Sequence, residues 1–237
     1  SNGVQQLLGM LFGIYLARTL NAEDYGLVGM LAIFSGIAST IINSGFSVAL
    51  TNKLDATHKD YNAVFWFSFV VSICLYIVLF FSAPLIASFY DRQELVNLSR
   101  VIFASFLFSG MAIVPHVILF KQLQVKMQAK IDVFALFLSG MCGVLLAFNG
   151  FAYWALAIQS TVYVASASLL KWMVVSWRPS LDFSIEPLKE MFPFSVKLFL
   201  TNIFQQVNNN VFSVLLGKLY NANVLGYYSQ GNKWMTM

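Results

Sequence analysis

Charge is what this sequence has least of. Only 10% of its 237 residues are Asp, Glu, Lys or Arg, against roughly a quarter in soluble domains, whose wet surfaces need them. So few charges cannot cover a water-facing globule of this length, and the remaining surface must meet lipid. Cysteine is nearly as scarce. Cys74 and Cys142 each sit inside an apolar run, so they read as small buried hydrophobes, not as a disulfide or a metal pair. No HExxH, GxSxG, Walker A or CxxC pattern occurs, so no enzyme, metal or cofactor chemistry is expected. No cleavable signal peptide is read at the start. The chain opens at Ser1 without methionine and closes at Met237 in an apolar stretch, and a fragment is expected.

Hydrophobic residues fill 59% of the chain, and mean hydropathy is +0.73. A spanning helix needs about twenty mostly apolar residues, because each rises about 1.5 Å through a core about 30 Å thick. Spans are expected at residues 4–20, 25–50, 62–89, 99–120, 132–148, 153–176 and 192–219, with an incomplete one from about 224. The runs are continuous, so helices are preferred to barrel strands. The third span is long enough to tilt, or to bend at Pro84.

The net charge of +4 does not point to nucleic acid. Basic residues gather in alternate gaps: Lys53, His58 and Lys59, then Lys121, Lys126 and Lys130, then Lys171, Arg178, Lys189 and Lys197. That alternation puts those gaps in the cytoplasm. The segment 177–191 carries two prolines and mixed charge. It reads either as an interfacial connection between two bundles or as an ordinary loop. Residues 1–176 would then be a six-helix first lobe and 192–237 the start of a second. Trp66, Trp154, Trp172 and Trp177 fall near span ends, where indoles anchor well.

The end of the first span, LARTLNAEDYGLVGM from Leu16, aligns without gaps on LGKLYNANVLGYYSQ from Leu216. Leu16, Asn21, Ala22 and Gly26 meet Leu216, Asn221, Ala222 and Gly226, and Arg18 meets Lys218. Repeats an even number of spans apart share one orientation, related by an axis along the membrane normal. The expected architecture is therefore an all-α, polytopic, two-lobed membrane protein with a cleft between its lobes. Asn21 can cap the following helix, Glu23 and Asp24 suit its N-terminus, and Gly26 permits close helix approach.

The seventh span holds six amides: Asn202, Gln205, Gln206, Asn208, Asn209 and Asn210. Helical spacing puts Asn202, Gln205, Gln206, Asn209 and Ser213 on one face. Lipid cannot satisfy amides. That face must meet water, a ligand or another helix, and hydrogen bonds between helices are the plainer alternative, each worth about 0.6 kcal/mol. Arg18 and Lys218 could together attract a pyrophosphate, or simply snorkel to the interface. Gln5, Gln6 and Asn43 are weaker candidates for the same cavity. Lys233 in the last span is a cation candidate. His116 follows Pro115, a kink position.

The LARTLNAEDYGLVGM, IVPHVILFKQLQVKMQAKIDV and LKEMFPFSVKLFLTNIFQQVNNNVFSVLLGKLYNANVLGYYSQ segments resemble Wzx-type polysaccharide biosynthesis flippases. These belong to the multidrug/oligosaccharidyl-lipid/polysaccharide exporter superfamily, and the resemblance is to their colanic-acid-like branch. It implies two bundles in a V around a central cavity, lined by the first, second, seventh and eighth helices. It implies an undecaprenyl-pyrophosphate-linked oligosaccharide as cargo, membrane lipids around it, the bacterial inner membrane as location, and a polysaccharide polymerase or assembly proteins as partners. Three alternatives remain: a multidrug exporter of the same superfamily, a membrane-embedded polymerase or ligase, and a major-facilitator transporter.

Overall fold

The computed structural model describes residues 2–43, 45–181 and 184–235. It is built from ten helices, α1 (Asn2–Thr19), α2 (Ala22–Met30), α3 (Ala32–Asn43), α4 (Phe46–Asn52), α5 (His58–Tyr90), α6 (Leu95–Lys121), α7 (Val125–Phe148), α8 (Tyr153–Val174), α9 (Glu186–Leu219) and α10 (Ala222–Met235). No strand occurs among the described residues. A bilayer allows little else, since every backbone polar group there needs a partner within its own segment. Among the described residues four stretches are long and apolar enough to cross a membrane: Ala22–Asn52, His58–Tyr90, Leu95–Lys121 and Val125–Phe148. The protein is a multi-pass membrane protein. α1, α8 and α9 are helical where spans are expected, although polar side chains such as the amides of α9 dilute them. Phe81, Leu85 and Phe148 stand almost fully exposed on α5 and α7, as lipid-facing side chains do.

α6 is the central helix, with α3, α4, α5, α7 and α8 all packed on it. Its Leu95, Leu98, Phe103, Val114 and Leu119 are buried, and α5 adds Val64 and Ala87. Pro84 and Pro115 lie within α5 and α6 without ending either helix. Gly110 of α6 sits against Ser72 of α5, where a side chain would overlap the serine hydroxyl.

The second span is not the single helix expected over residues 25–50. It runs as α2, α3 and α4, with a turn at Leu31 and a break at Gly45. Gly45 adopts φ +72°, left-handed backbone that a side chain resists. Its missing side chain also admits α9: a methyl there would stand 2.6 Å from the Ser195 carbonyl oxygen. The break and the close approach therefore share one residue. Gly45→Ala is expected to destabilise the fold by at least about 2 kcal/mol, from left-handed strain plus overpacking. An unfolding midpoint in detergent equal to that of the wild type would contradict this.

The segment after α8 also differs from expectation. α9 begins at Glu186, inside the stretch read as a connection, with Pro187 in its first turn. The stretch before it is tied to α5. Ser180 N donates to Asn62 Oδ1 at 3.0 Å, and Trp66 Nε1 donates to the Ser180 carbonyl at 2.7 Å. Trp177 Nε1 donates to His58 Nδ1 at 3.0 Å, and Trp172 Nε1 to the Met111 carbonyl at 3.0 Å. Three of the four tryptophans expected as interfacial anchors thus spend their N–H groups inside the protein. On the same side Lys53 bridges Asp60 (3.0 Å) and Glu190 (2.6 Å), joining α4, α5 and α9. Its hydrogen bonds to Glu190 and then Asp60 push the Lys53 ammonium above its ordinary range. Lys121 donates to the carbonyls of Leu50 and Lys53, closing the same corner.

Candidate functional site

The two repeat turns meet each other. A side chain at Gly26 would overlap the Ala222 carbonyl oxygen, and one at Gly226 would overlap the Ala22 carbonyl oxygen. Gly29 faces Ser229, its own counterpart, with 2.7 Å between a methyl built there and Ser229 Oγ. Reciprocal pairs beside a self-pair are the signature of a twofold contact. The expected pseudo-twofold is therefore present as an α2–α10 interface. Both helix starts are capped by asparagines in equivalent positions. Asn21 N donates to Asp24 Oδ2 at 3.0 Å, and Asn221 Oδ1 accepts from Val224 N at 3.0 Å.

Charges surround this contact. Glu23 pairs with Arg92 at 2.7 Å. Lys218 pairs with Asp91 at 3.0 Å and lies 5.3 Å over the Phe89 ring. Arg18 is exposed on α1. Lys218 is thus held by an acidic partner from the α5–α6 turn, and Arg18 forms no ion pair among the described residues.

The α9 amides divide between two environments. The packed side of α9 runs through Ser195, Gln206, Asn210, Ser213 and Gly217. Asn210 Nδ2 donates to Gln206 Oε1 at 3.1 Å. Gln206 rests on Gly36 of α3 so closely that any side chain at Gly36 would strike its amide. Asn202, Gln205 and Asn209 are exposed on the flank beside it. The five-residue face expected from spacing is thus split: Gln206 and Ser213 contact other helices, and the remaining three amides look away from the bundle. Lys233 lies in α10, and its side chain is outside the described residues.

Asn43 is exposed at the end of α3, with Nδ2 donating to the Ser39 carbonyl at 2.8 Å. It opens onto a hollow of about 370 Å³ between α3, α4, α6 and α8. Ser39, Ser47, Ser109, Tyr163 and Ser168 line it, with His116 and Lys171. A neighbouring hollow of about 350 Å³ shares Ser47 and His116 with it and adds Thr51, Asn52 and Phe120, nearer the lysine-rich ends of α4 and α6. Lys171 Nζ stands 3.8 Å from Asp132 Oδ1 of α7. Gln128 Nε2 donates to the His116 carbonyl at 3.1 Å. Gly36 and Asn43 are two turns apart on one side of α3, so this hollow adjoins the line where α9 packs. Spacing along the chain does not assemble these residues. No pattern in the sequence singles out Asp132, at the margin of a span, or Lys171, among the basic residues of a gap.

The family model described as "Polysaccharide biosynthesis protein" matches residues 15–237. The teichuronic acid biosynthesis protein TuaB of Bacillus subtilis is 28% identical over 202 residues, 84% of this chain and 42% of that protein. The lipopolysaccharide biosynthesis protein WzxC of Escherichia coli is 20% identical over 94% of this chain and 46% of its own length. The succinoglycan biosynthesis transport protein ExoT of Rhizobium meliloti is 21% identical over 94% and 45%. The chain thus spans about half the length of the curated relatives it matches. Among solved structures, an inward-facing multidrug resistance MATE family transporter of the MOP superfamily superposes with TM-score 0.67 at 19% identity, over 98% of this chain and 58% of that one. With that transporter fold, an internal twofold contact and a family match over nearly its whole length, the chain belongs to the polysaccharide biosynthesis protein family.

Proposed function

We propose that the protein to which this chain belongs translocates a lipid-linked oligosaccharide across the bacterial inner membrane for surface polysaccharide synthesis. Residues 1–176 form the first lobe, 177–191 the cytoplasmic connection and 192–237 the start of the second lobe. The observation that carries this reading is the exposed amide flank Asn202, Gln205 and Asn209 on a helix whose other side is packed. In hydrocarbon such a flank would leave three amides without partners, so it belongs against a wet passage. Amides both donate to and accept from hydroxyls, which a sugar chain offers in quantity. The names of TuaB, WzxC and ExoT place those relatives in polysaccharide biosynthesis, which fits the same cargo class.

The work is shielding a polar head, not making or breaking a bond, so neither a catalytic residue nor a cofactor is required. Rocking of two lobes about a central site supplies alternating access. The undecaprenyl-pyrophosphate carrier, surrounding lipids and a polymerase downstream are the partners this implies. The intact protein in proteoliposomes should move a fluorescent prenyl-diphosphate oligosaccharide to the outer leaflet without nucleotide, several-fold faster than protein-free vesicles. Equal rates would defeat the proposal. The fold likeness to a multidrug transporter favours one alternative, export of a small cation. Faster efflux of a cationic dye, with no effect on the labelled lipid, would select it.

A further inference from the structure

The Asp132–Lys171 pair has no role in holding the repeat contact or the α9 packing. Asp132 lies in the N-terminal part of α7, just after Lys130, and Lys171 in the last turn of α8, at the lysine-rich end of the bundle. Their side chains are only 29% and 14% exposed. Charges removed this far from water are costly to keep without a partner. The geometry is also loose. A hydrogen-bonded ammonium–carboxylate pair closes to about 2.7–2.9 Å, whereas this one stands at 3.8 Å. Among the described residues no hydrogen bond to the Lys171 ammonium is formed.

We propose that Lys171 is an anion receptor held in reserve by Asp132: a phosphate ester bearing a sugar draws Lys171 off Asp132, while the hydroxyls and amide of the adjoining hollow take the sugar. This rests on the reading of the protein as a flippase for lipid-linked oligosaccharides. The division of labour follows from the lining. Lys171 is the cation within the hollow, with His116 beside it. Ser168 Oγ donates to the Phe108 carbonyl at 2.9 Å, and Ser109 Oγ to the Ser105 carbonyl at 3.2 Å. Both therefore present lone pairs to incoming hydroxyls. Asn43 spends Nδ2 on Ser39 and keeps Oδ1 as an acceptor. A volume of about 370 Å³ falls in the ordinary range of small-ligand sites, roughly 300–1,000 Å³. Asp132 gives the half-buried ammonium a counter-charge before cargo arrives. The same carboxylate competes with the phosphate, which favours release.

The two partners therefore have opposite effects on binding, which a purely structural ion pair does not. The test measures binding to the intact, detergent-solubilised protein of three probes: farnesyl-diphospho-N-acetylglucosamine, farnesyl diphosphate and farnesol. Lys171→Gln is expected to weaken both diphosphates about tenfold. Asp132→Asn is expected to tighten them about threefold. Farnesol should be unaffected by either. The double variant Lys171→Gln/Asp132→Asn keeps an uncharged, hydrogen-bonding pair and secures the comparison if the first variant misfolds. Its affinity should fall to the Lys171→Gln level, far below Asp132→Asn alone. Serine-to-alanine replacement at Ser109 should weaken the sugar-bearing probe and leave farnesyl diphosphate unchanged. The inference is overturned if Lys171→Gln is neutral, if both single variants shift affinity the same way, or if the Ser109 variant treats the two diphosphates alike. A wild-type protein that binds the diphospho-sugar no better than farnesol would instead remove the flippase reading beneath it.

Discussion

Gly26→Ala is expected to lower the unfolding midpoint of the intact protein sharply, and Gly226→Ala to lower it by a similar amount. Each methyl would overlap a backbone carbonyl oxygen of the facing helix. A carbonyl within a helix cannot rotate aside, so α2 and α10 must part along their contact. Overpacking ordinarily costs about 1–3 kcal/mol, with larger values where nothing yields, and the upper end applies here. Gly29→Ala is the internal control. Its methyl would meet the Ser229 hydroxyl at 2.7 Å, a group that can turn away, so its effect should be under about 1 kcal/mol. The expected order is Gly26 and Gly226 equal and severe, with Gly29 mild. A severe Gly29 variant, or a large inequality between Gly26 and Gly226, would show that the contact is not a twofold one.

The second large effect concerns the amide flank. Replacing Asn202, Gln205 and Asn209 together with Leu should cut polymer export by roughly a hundredfold while leaving membrane insertion unchanged. Each amide hydrogen bond to cargo or ordered water is worth about 1 kcal/mol, and three lost together amount to about two decades in affinity. Leucine makes the helix more apolar, so insertion does not suffer. Gln206→Leu belongs to a different experiment. That side chain rests on Gly36 and bonds Asn210, so its replacement should disturb α3–α9 packing and show in the unfolding midpoint. Export unchanged in the triple variant would mean that the passage runs along another helix.

How much of this could be read from the residues depended on the kind of signal. The repeat was legible because a close twofold contact demands small residues at matching places, and Gly26 with Gly226 supplied them. The break in the second span was not legible, since one glycine inside an apolar run is ordinary in a membrane helix. Its left-handed backbone, and the α9 backbone lying against it, show only in the folded chain. The α9 amides announced a polar helix, but spacing alone spread five residues over a wide arc. Which flank α3 covers was settled by the small size of Gly36. The hollow beside Lys171 was least legible. Its lining comes from four helices, one or a few residues from each, and only packing around α6 brings them together. The repeat matches Lys218 to Arg18, but its ion pair with Asp91, from a turn with no counterpart in the alignment, was not legible.

The α2–α10 interface has a mechanical corollary. Because Gly26 lies on Ala222 while Gly226 lies on Ala22, the two close approaches are related by one axis. A movement of α10 that preserves this symmetry opens or closes both at once, so the seam is held as a pair of matched clasps.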